Sequence, residues 1–366
     1  MKRLTIIFSL FFLLLFLLPS QADDALVFPK GVMRLIYYNT SLDATEFFDE
    51  DGEIVDAGEY LGIPDVDTDP IMSLIYANGG YLHEPQAHLR IVRSDFIFDI
   101  GITDKISARL WFPYYFQKKT KVTYYPPFND EEYFWFDLLA GVTLPPNLLM
   151  DSNASGLGDM LIGFKHQIIG SNDIERGLRF CYSTGFRLPT AKIWDPVSDP
   201  NGSQLDDGQM DIGIWTHTDL VLTKNFYVNL FTKYEMQMQG THKLDLGVGK
   251  GVEVDYAPGN FVYAEFEPHY KIPLKEKTNM ELLLAITYEK EEAGTYTLPE
   301  EYGGTEIDLE DDYELMTIAP CISIESWDTS KVPFEFEARY AIPYSGKKYP
   351  VFTRLQFVLK IYTKIF

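Results

Sequence analysis

The sequence predicts an all-β fold, a transmembrane antiparallel β-barrel of about twelve strands with long acidic extracellular loops. Three observations predict it. Apolar and polar residues alternate along most of the chain after residue 22, the period of a strand with two unlike faces. The spacers between alternating segments fall into two classes, short turns and long acidic stretches over 40–87, 117–157, 189–208 and 291–311, as in barrels with turns on one side of a membrane and loops on the other. Aromatic residues make up 15% of the chain. Tyr37, Tyr38, Tyr114, Tyr115, Tyr124 and Tyr125 gather near expected strand ends, where interfacial girdles belong.

The N-terminus sets the compartment. Met1-Lys2-Arg3 is basic, Leu4 to Leu18 is almost wholly apolar, and Pro19-Ser20-Gln21-Ala22 offers small residues for cleavage after Ala22, the three parts of a secretory signal peptide. The apolar run is shorter than the ~20 residues of a membrane-spanning helix. No cysteine follows the cleavage point, which argues against a lipid anchor. Residues 1–22 are therefore expected to leave, and 23–366 to form a single barrel domain in the outer membrane of a Gram-negative bacterium. The chain has 54 acidic against 31 basic residues and a net charge of −23. Loss of Lys2 and Arg3 makes the mature chain more acidic still, which excludes nucleic acid as a partner. No Ser/Gly-rich or Pro-rich linker divides it.

In 94–102, Phe96, Phe98, Ile100 and Ile102 share a face opposite Asp95 and Asp99; in 106–116, Ile106, Ala108, Leu110, Phe112 and Tyr114 oppose Ser107 and Arg109. Only Thr103-Asp104-Lys105 separates the two, so they form a hairpin. Met160, Ile162 and Phe164 oppose Lys165, and Leu178, Phe180 and Tyr182 oppose Arg179. Ile212, Ile214, Leu220 and Leu222 oppose Asp211, His217 and Asp219; after the turn Thr223-Lys224-Asn225, Phe226, Val228, Leu230 and Tyr234 oppose Asn229, Lys233 and Glu235. Later segments repeat the pattern, with Met280, Leu282 and Leu284 against Glu281, Phe334 and Phe336 against Glu335, Glu337 and Arg339, and Leu355 to Ile361 against Arg354, Gln356 and Lys360. Phe366 falls out of phase with this last series, which calls for a bulge or a fray near Thr363. The candidates, including 31–39, 246–256, 261–271 and 312–325, come to about thirteen, whereas a bacterial barrel needs an even number. Twelve is the count adopted, with fourteen the alternative and the surplus expected within 239–275.

The polar faces then line a lumen. Its candidate residues are Arg93, Asp95, Asp99, Arg109, Lys165, Arg179, Arg187, Asp211, Asp219, Lys233, Glu235 and Arg339. They suit a mixed-charge constriction that sorts solutes, and equally a lattice of ion pairs that braces a narrow barrel. Asp23–Lys30 is a candidate plug. Cys181 and Cys321 are expected as isolated wall thiols. The acidic stretches at Asp49–Glu53 and Asp199–Asp207 lack the spacing of a calcium loop, so no metal and no cofactor is expected. The six histidines have no metal-ligand spacing, and no hydrolase or nucleotide-binding motif occurs. His217 with Asp219 is the lone catalytic lead, with no serine partner indicated, and the chain is not expected to be an enzyme.

Several segments recur as motifs. Gly156-Leu157-Gly158-Asp159 leads to Gly163 and Lys165, Arg187-Leu188-Pro189-Thr190-Ala191-Lys192 ends a strand, and Gly208-Gln209-Met210-Asp211-Ile212-Gly213 follows a loop. With Phe47–Gly52 and Ala319-Pro320, these resemble, in order, the segments of the phenol meta-pathway outer-membrane protein family. Ala191 stands where that family usually has Gly. The resemblance implies an outer-membrane barrel that passes aromatic or other hydrophobic compounds, and it carries over no site residues. Bottom-up, Gly158 and Gly163 fit close strand approach and Pro189 a strand end.

The function expected is a channel for small hydrophobic or aromatic molecules. Its partners are outer-membrane lipid and lipopolysaccharide, the barrel-assembly machinery and a small solute. The alternatives are a closed structural or interaction barrel displaying acidic loops and, behind it, an enzyme acting on lipid.

Overall fold

A computed structural model describes residues 25–366 except 61–83, 126–151, 200, 207, 247, 276, 310–311, 328–331 and 366. The signal peptide, the cleavage point, most of the first two long spacers and Phe366 lie outside the described residues. Twelve antiparallel strands close into a barrel. They are β1 (Val32–Phe48), β2 (Glu84–Thr103), β3 (Ile106–Tyr125), β4 (Met160–Ile169), β5 (Gly177–Leu188), β6 (Asp211–Thr223), β7 (Phe226–Gln237), β8 (Phe261–Lys275), β9 (Thr278–Glu291), β10 (Tyr313–Ser326), β11 (Phe334–Lys347) and β12 (Tyr349–Lys364). Each pairs with its neighbour in sequence, and β12 closes on β1 from Val32↔Lys364 to Phe48↔Tyr349. Closure removes the free edges that could not survive in lipid.

Alternation sets which face looks inward. Phe98, Phe164, Ile214, Leu230, Phe266 and Leu282 are exposed on the outside, while Asp99, Lys165, Asp219, Asn229, Glu267 and Glu281 are buried within. The turns are equally local in origin. The Thr103 hydroxyl accepts from the N–H groups of Lys105 and Ile106, at 3.2 and 3.0 Å. Thr223 does the same for Asn225 and Phe226, at 3.2 and 3.0 Å. In each, a threonine side chain stands in for a backbone turn acceptor.

Three expectations change. The segment 246–256 is not a wall strand: Gly251–Ala257 joins Gly240–Asp245, Thr295–Thr297 and Glu306–Asp308 in a separate four-stranded sheet built from two loops. Its alternation is real, but it serves a loop hairpin. The wall strands β1, β2 and β3 reach well into the expected long spacers, because a polar strand end keeps its ladder outside lipid as easily as inside. Of the bulge or fray expected near Thr363, the bulge is absent, since the β1–β12 register is unbroken from Lys364 to Phe352.

The loop motifs converge on Asp159. Its carboxylate is 1% exposed. One oxygen accepts from the N–H groups of Thr190 and Ala191, both at 2.7 Å, and the other from Gly208 at 3.0 Å. The Asp159 N–H donates in turn to Asp206 at 2.7 Å. A Cβ at Gly158 would collide with that same Asp206 carboxylate, so a side chain there would displace it from the Asp159 N–H. One buried carboxylate thus ties the ends of β4 and β5 to the loop before β6. Replacing it with Asp159→Ala strands three N–H donors at about 1–3 kcal/mol each. The expected result is rapid proteolysis within 189–210 while the barrel stays folded in detergent.

Candidate functional site

Three motif glycines lie side by side. Gly163 of β4 faces Gly185 of β5, and Gly185 faces Gly213 of β6. The Trp215 ring rests on two of them, Gly185 and Gly213. A Cβ built at Gly185 or at Gly213 would lie 2.6 Å from it, closer than any real contact. The indole therefore lies along the inner wall, where Leu161, Phe231 and Tyr263 pack with it and Trp111 and Phe261 flank them. Gly185→Ala overfills this platform, and overpacking of this kind costs about 1–3 kcal/mol. We expect a lowered urea midpoint and a changed near-ultraviolet tryptophan signal.

Trp215 lines a chamber of roughly 220 Å³ in the half of the barrel nearer the long loops. A second chamber, of about 800 Å³, occupies the half nearer the termini. Phe28 borders both. The N-terminal segment carrying Phe28 is fixed inside the barrel. The Ala25 N–H donates to both Asp219 oxygens, at 3.2 and 3.1 Å, and its carbonyl accepts from Gln167 at 3.0 Å and from the Cys181 thiol at 3.1 Å. Asn172 donates to the Val27 carbonyl at 2.6 Å. Ala25 and Val27 are buried against Cys181, and Arg34 lies 4.4 Å over the Phe28 ring. Residues 25–28 therefore occupy the interior at the end where β1 begins.

Most of the polar residues singled out from the sequence form buried clusters. Asp99 holds Arg34 at 2.6 Å and Arg109 at 2.7 Å. Arg93 pairs with Asp95 at 2.7 Å, and Trp111 donates to the same carboxylate at 2.8 Å. Arg179 meets Asp219 at 2.8 Å, and Asn229 donates to it at 2.6 Å. Arg187 spans Asp211 and Glu235 at 3.0 and 3.4 Å, and Lys233 lies 2.9 Å from Glu235. Lys165 borders the smaller chamber. Arg339 is the most enclosed of the basic residues in the set. It meets Glu265 at 3.0 Å and both Glu267 and Glu337 at 2.6 Å. Beside it His269 bridges Glu267 and Glu281, Lys271 meets Glu325 at 3.1 Å, and Lys360 meets Glu335 at 2.7 Å.

Sequence reasoning missed Arg34, the Trp215 platform and the apolar interior layer of Ile36, Ile97 and Val358. A tryptophan two residues after a motif glycine was the available signal for the platform. Tyr115 was expected in an interfacial girdle. It is instead 6% exposed and inside, bonded to Arg93 and to Asp206 at 3.1 and 2.7 Å, because polar partners from two elements draw its hydroxyl inward. His217 does have a serine, Ser183, whose Oγ lies 2.9 Å from Nε2. Both are buried and border the smaller chamber, so bilayer lipid does not meet them. Cys181 and Cys321 form no disulfide and are buried. Among the described residues, no cluster of three or more His, Cys, Asp or Glu could hold a metal ion.

No family model and no curated protein matches the chain. Solved structures do. An outer membrane channel from Pseudomonas putida F1 superposes with a TM-score of 0.57 at 11% identity, over 94% of this chain and 100% of that one. The fold is that of an outer-membrane β-barrel. The transport unit of the autotransporter AIDA-I from Escherichia coli gives 0.45 at 10% identity, covering 94% and 92%. A deletion mutant of the monoaromatic hydrocarbon channel TodX gives 0.43 at 9%, covering 92% and 91%.

Proposed function

We propose that the chain is an outer-membrane channel passing small hydrophobic or aromatic molecules. The observation that carries this reading is the chamber built around Trp215. An indole laid on Gly185 and Gly213, with Trp111 and Phe231 beside it, gives an inner wall of flat apolar faces within a closed barrel. Such faces take a planar solute by offset or edge contact, while the ion pairs around them keep the passage wetted. The outer surface of exposed Phe, Leu and Ile meets lipid and lipopolysaccharide. Export by residues 1–22, cleavage after Ala22 and insertion by the barrel-assembly machinery belong to the same reading. Cleavage there leaves two residues ahead of Ala25. The structural neighbours are channels and translocation units, which accords with transport and not with catalysis.

One observation favours a second reading, a closed bracing barrel. Arg339, His269, Lys271 and Lys360 are matched by six glutamates, five of which line the larger chamber, a lattice that stiffens whether or not anything passes. Planar-bilayer recording separates the two. The channel reading expects discrete current steps that an added aromatic solute interrupts. Silence from a folded, heat-modifiable protein would assign it the bracing role.

A further inference from the structure

We propose that the chamber around Trp215 binds a single-ring aromatic carboxylate, an inference that rests on the channel reading and names its solute class. Charge is the first argument. In a chain with 54 acidic and 31 basic residues, this chamber reverses the balance. Arg93, Arg109, Lys165, Lys233 and Arg354 border it, against Asp95, Asp99 and Glu235 alone. Those three acids are already engaged by Arg93, Arg109 and Lys233, and two of them also serve Arg34 and Arg187 from outside the lining. The larger chamber shows no such excess, since its five lysines and arginines face five glutamates. Lys165 has a partner of its own, so the cation that this count leaves on the aromatic wall is Arg354.

Unused hydrogen-bonding capacity is the second argument. Arg354 and Gln356 are two apart on β12, so they point to the same side of the strand, and both border the chamber. The Nε of Arg354 and the Oε1 of Gln356 are buried without a partner, and Gln356 as a whole is 4% exposed. Arg354 makes no ion pair among the described residues, although the buried Glu289 lies within reach of its charge; its guanidinium stands 5.3 Å over the Phe352 ring. Such groups are costly to leave unmade. A carboxylate in the chamber would accept from the Arg354 guanidinium, the planar fork suited to it.

Size is the third. An apolar cavity of about 150 Å³ takes benzene, and the chamber here measures roughly 220 Å³. The difference admits one small substituent on one ring. The ring would lie against Trp111, Trp215 and Phe231, and the acid would face Arg354.

The test is tryptophan emission of the folded mature barrel in detergent, titrated with benzoate, benzyl alcohol and acetate, with the unfolded chain as blank. Benzoate is expected to saturate at lower concentration than benzyl alcohol, and acetate to have no effect. Arg354→Gln should weaken benzoate about tenfold or more, the scale of a charged hydrogen bond, and leave benzyl alcohol within about twofold. Arg354→Lys should retain most benzoate binding. Gln356→Glu should remove it and spare the neutral ring, and these two variants decide the matter if Arg354→Gln does not fold. Equal affinity for benzoate and benzyl alcohol, or equal losses for both in the variants, would overturn the proposal and leave an aromatic channel standing. Absence of binding by either ring compound would remove both readings.

Discussion

Arg339→Met is expected to cost the folded barrel about 3–5 kcal/mol, the scale set by breaking a buried ion cluster from one side. Arg339 is 2% exposed, and its three glutamate partners are 1–4% exposed. Removing it leaves Glu265, Glu267 and Glu337 facing one another with one cation fewer, and methionine of similar volume replaces none of the hydrogen bonds. The cost is electrostatic, so it should fall when an acid is removed too. Arg339→Met with Glu267→Gln should recover part of the loss, a coupling a double-mutant cycle measures directly. Urea unfolding of the detergent-solubilised protein checks both variants. Equal losses in the single and double variants would mean that packing, not charge, sets the value.

The second large effect concerns passage. Deletion of residues 23–28, with cleavage kept after Ala22, should enlarge the unitary current by on the order of twofold or more, because it empties the interior where a narrow lumen sets the resistance. The segment is held by Asp219, Gln167, Cys181 and Asn172, and Phe28 stands where the two chambers meet. The deletion leaves the Arg179–Asp219 and Asn229–Asp219 contacts intact, so the barrel should fold. A Phe28→Ala variant should give a smaller change of the same sign. Unchanged current in both would mean that the segment lies beside the passage and does not narrow it.

How far these features were legible follows from the range of the forces behind them. Strand identity and inner face depend on residues two apart, so Phe96, Asp95 and their like could be assigned from alternation alone. The Thr103 and Thr223 turns are equally local. The Arg339 cluster is not: Glu265 and Glu267 sit on β8, with β9 and β10 between them and β11, more than 70 residues away in sequence. Nothing in the spacing marks that meeting. The excess of wall candidates in 239–275 had a different cause, since a loop hairpin and a wall hairpin obey the same period. Gly158 and Gly163 were legible as close-approach positions, but the shared purpose of Gly185 and Gly213 under Trp215 required the register of their two strands. Asp159 likewise looked like a loop residue until its acceptors met the N–H groups of two other segments.

The claim underlying the functional reading is that solute passes through the chamber beside Trp215. The most direct test is single-channel recording of Ser183→Cys, with Cys181 and Cys321 replaced by alanine, before and after a thiol reagent is added. Ser183 borders the chamber, so modification there places a bulky group in the proposed path. The account predicts a stepwise fall of the current in Ser183→Cys and none in the cysteine-free parent. A current that continues undiminished after complete modification, verified by mass, would contradict it.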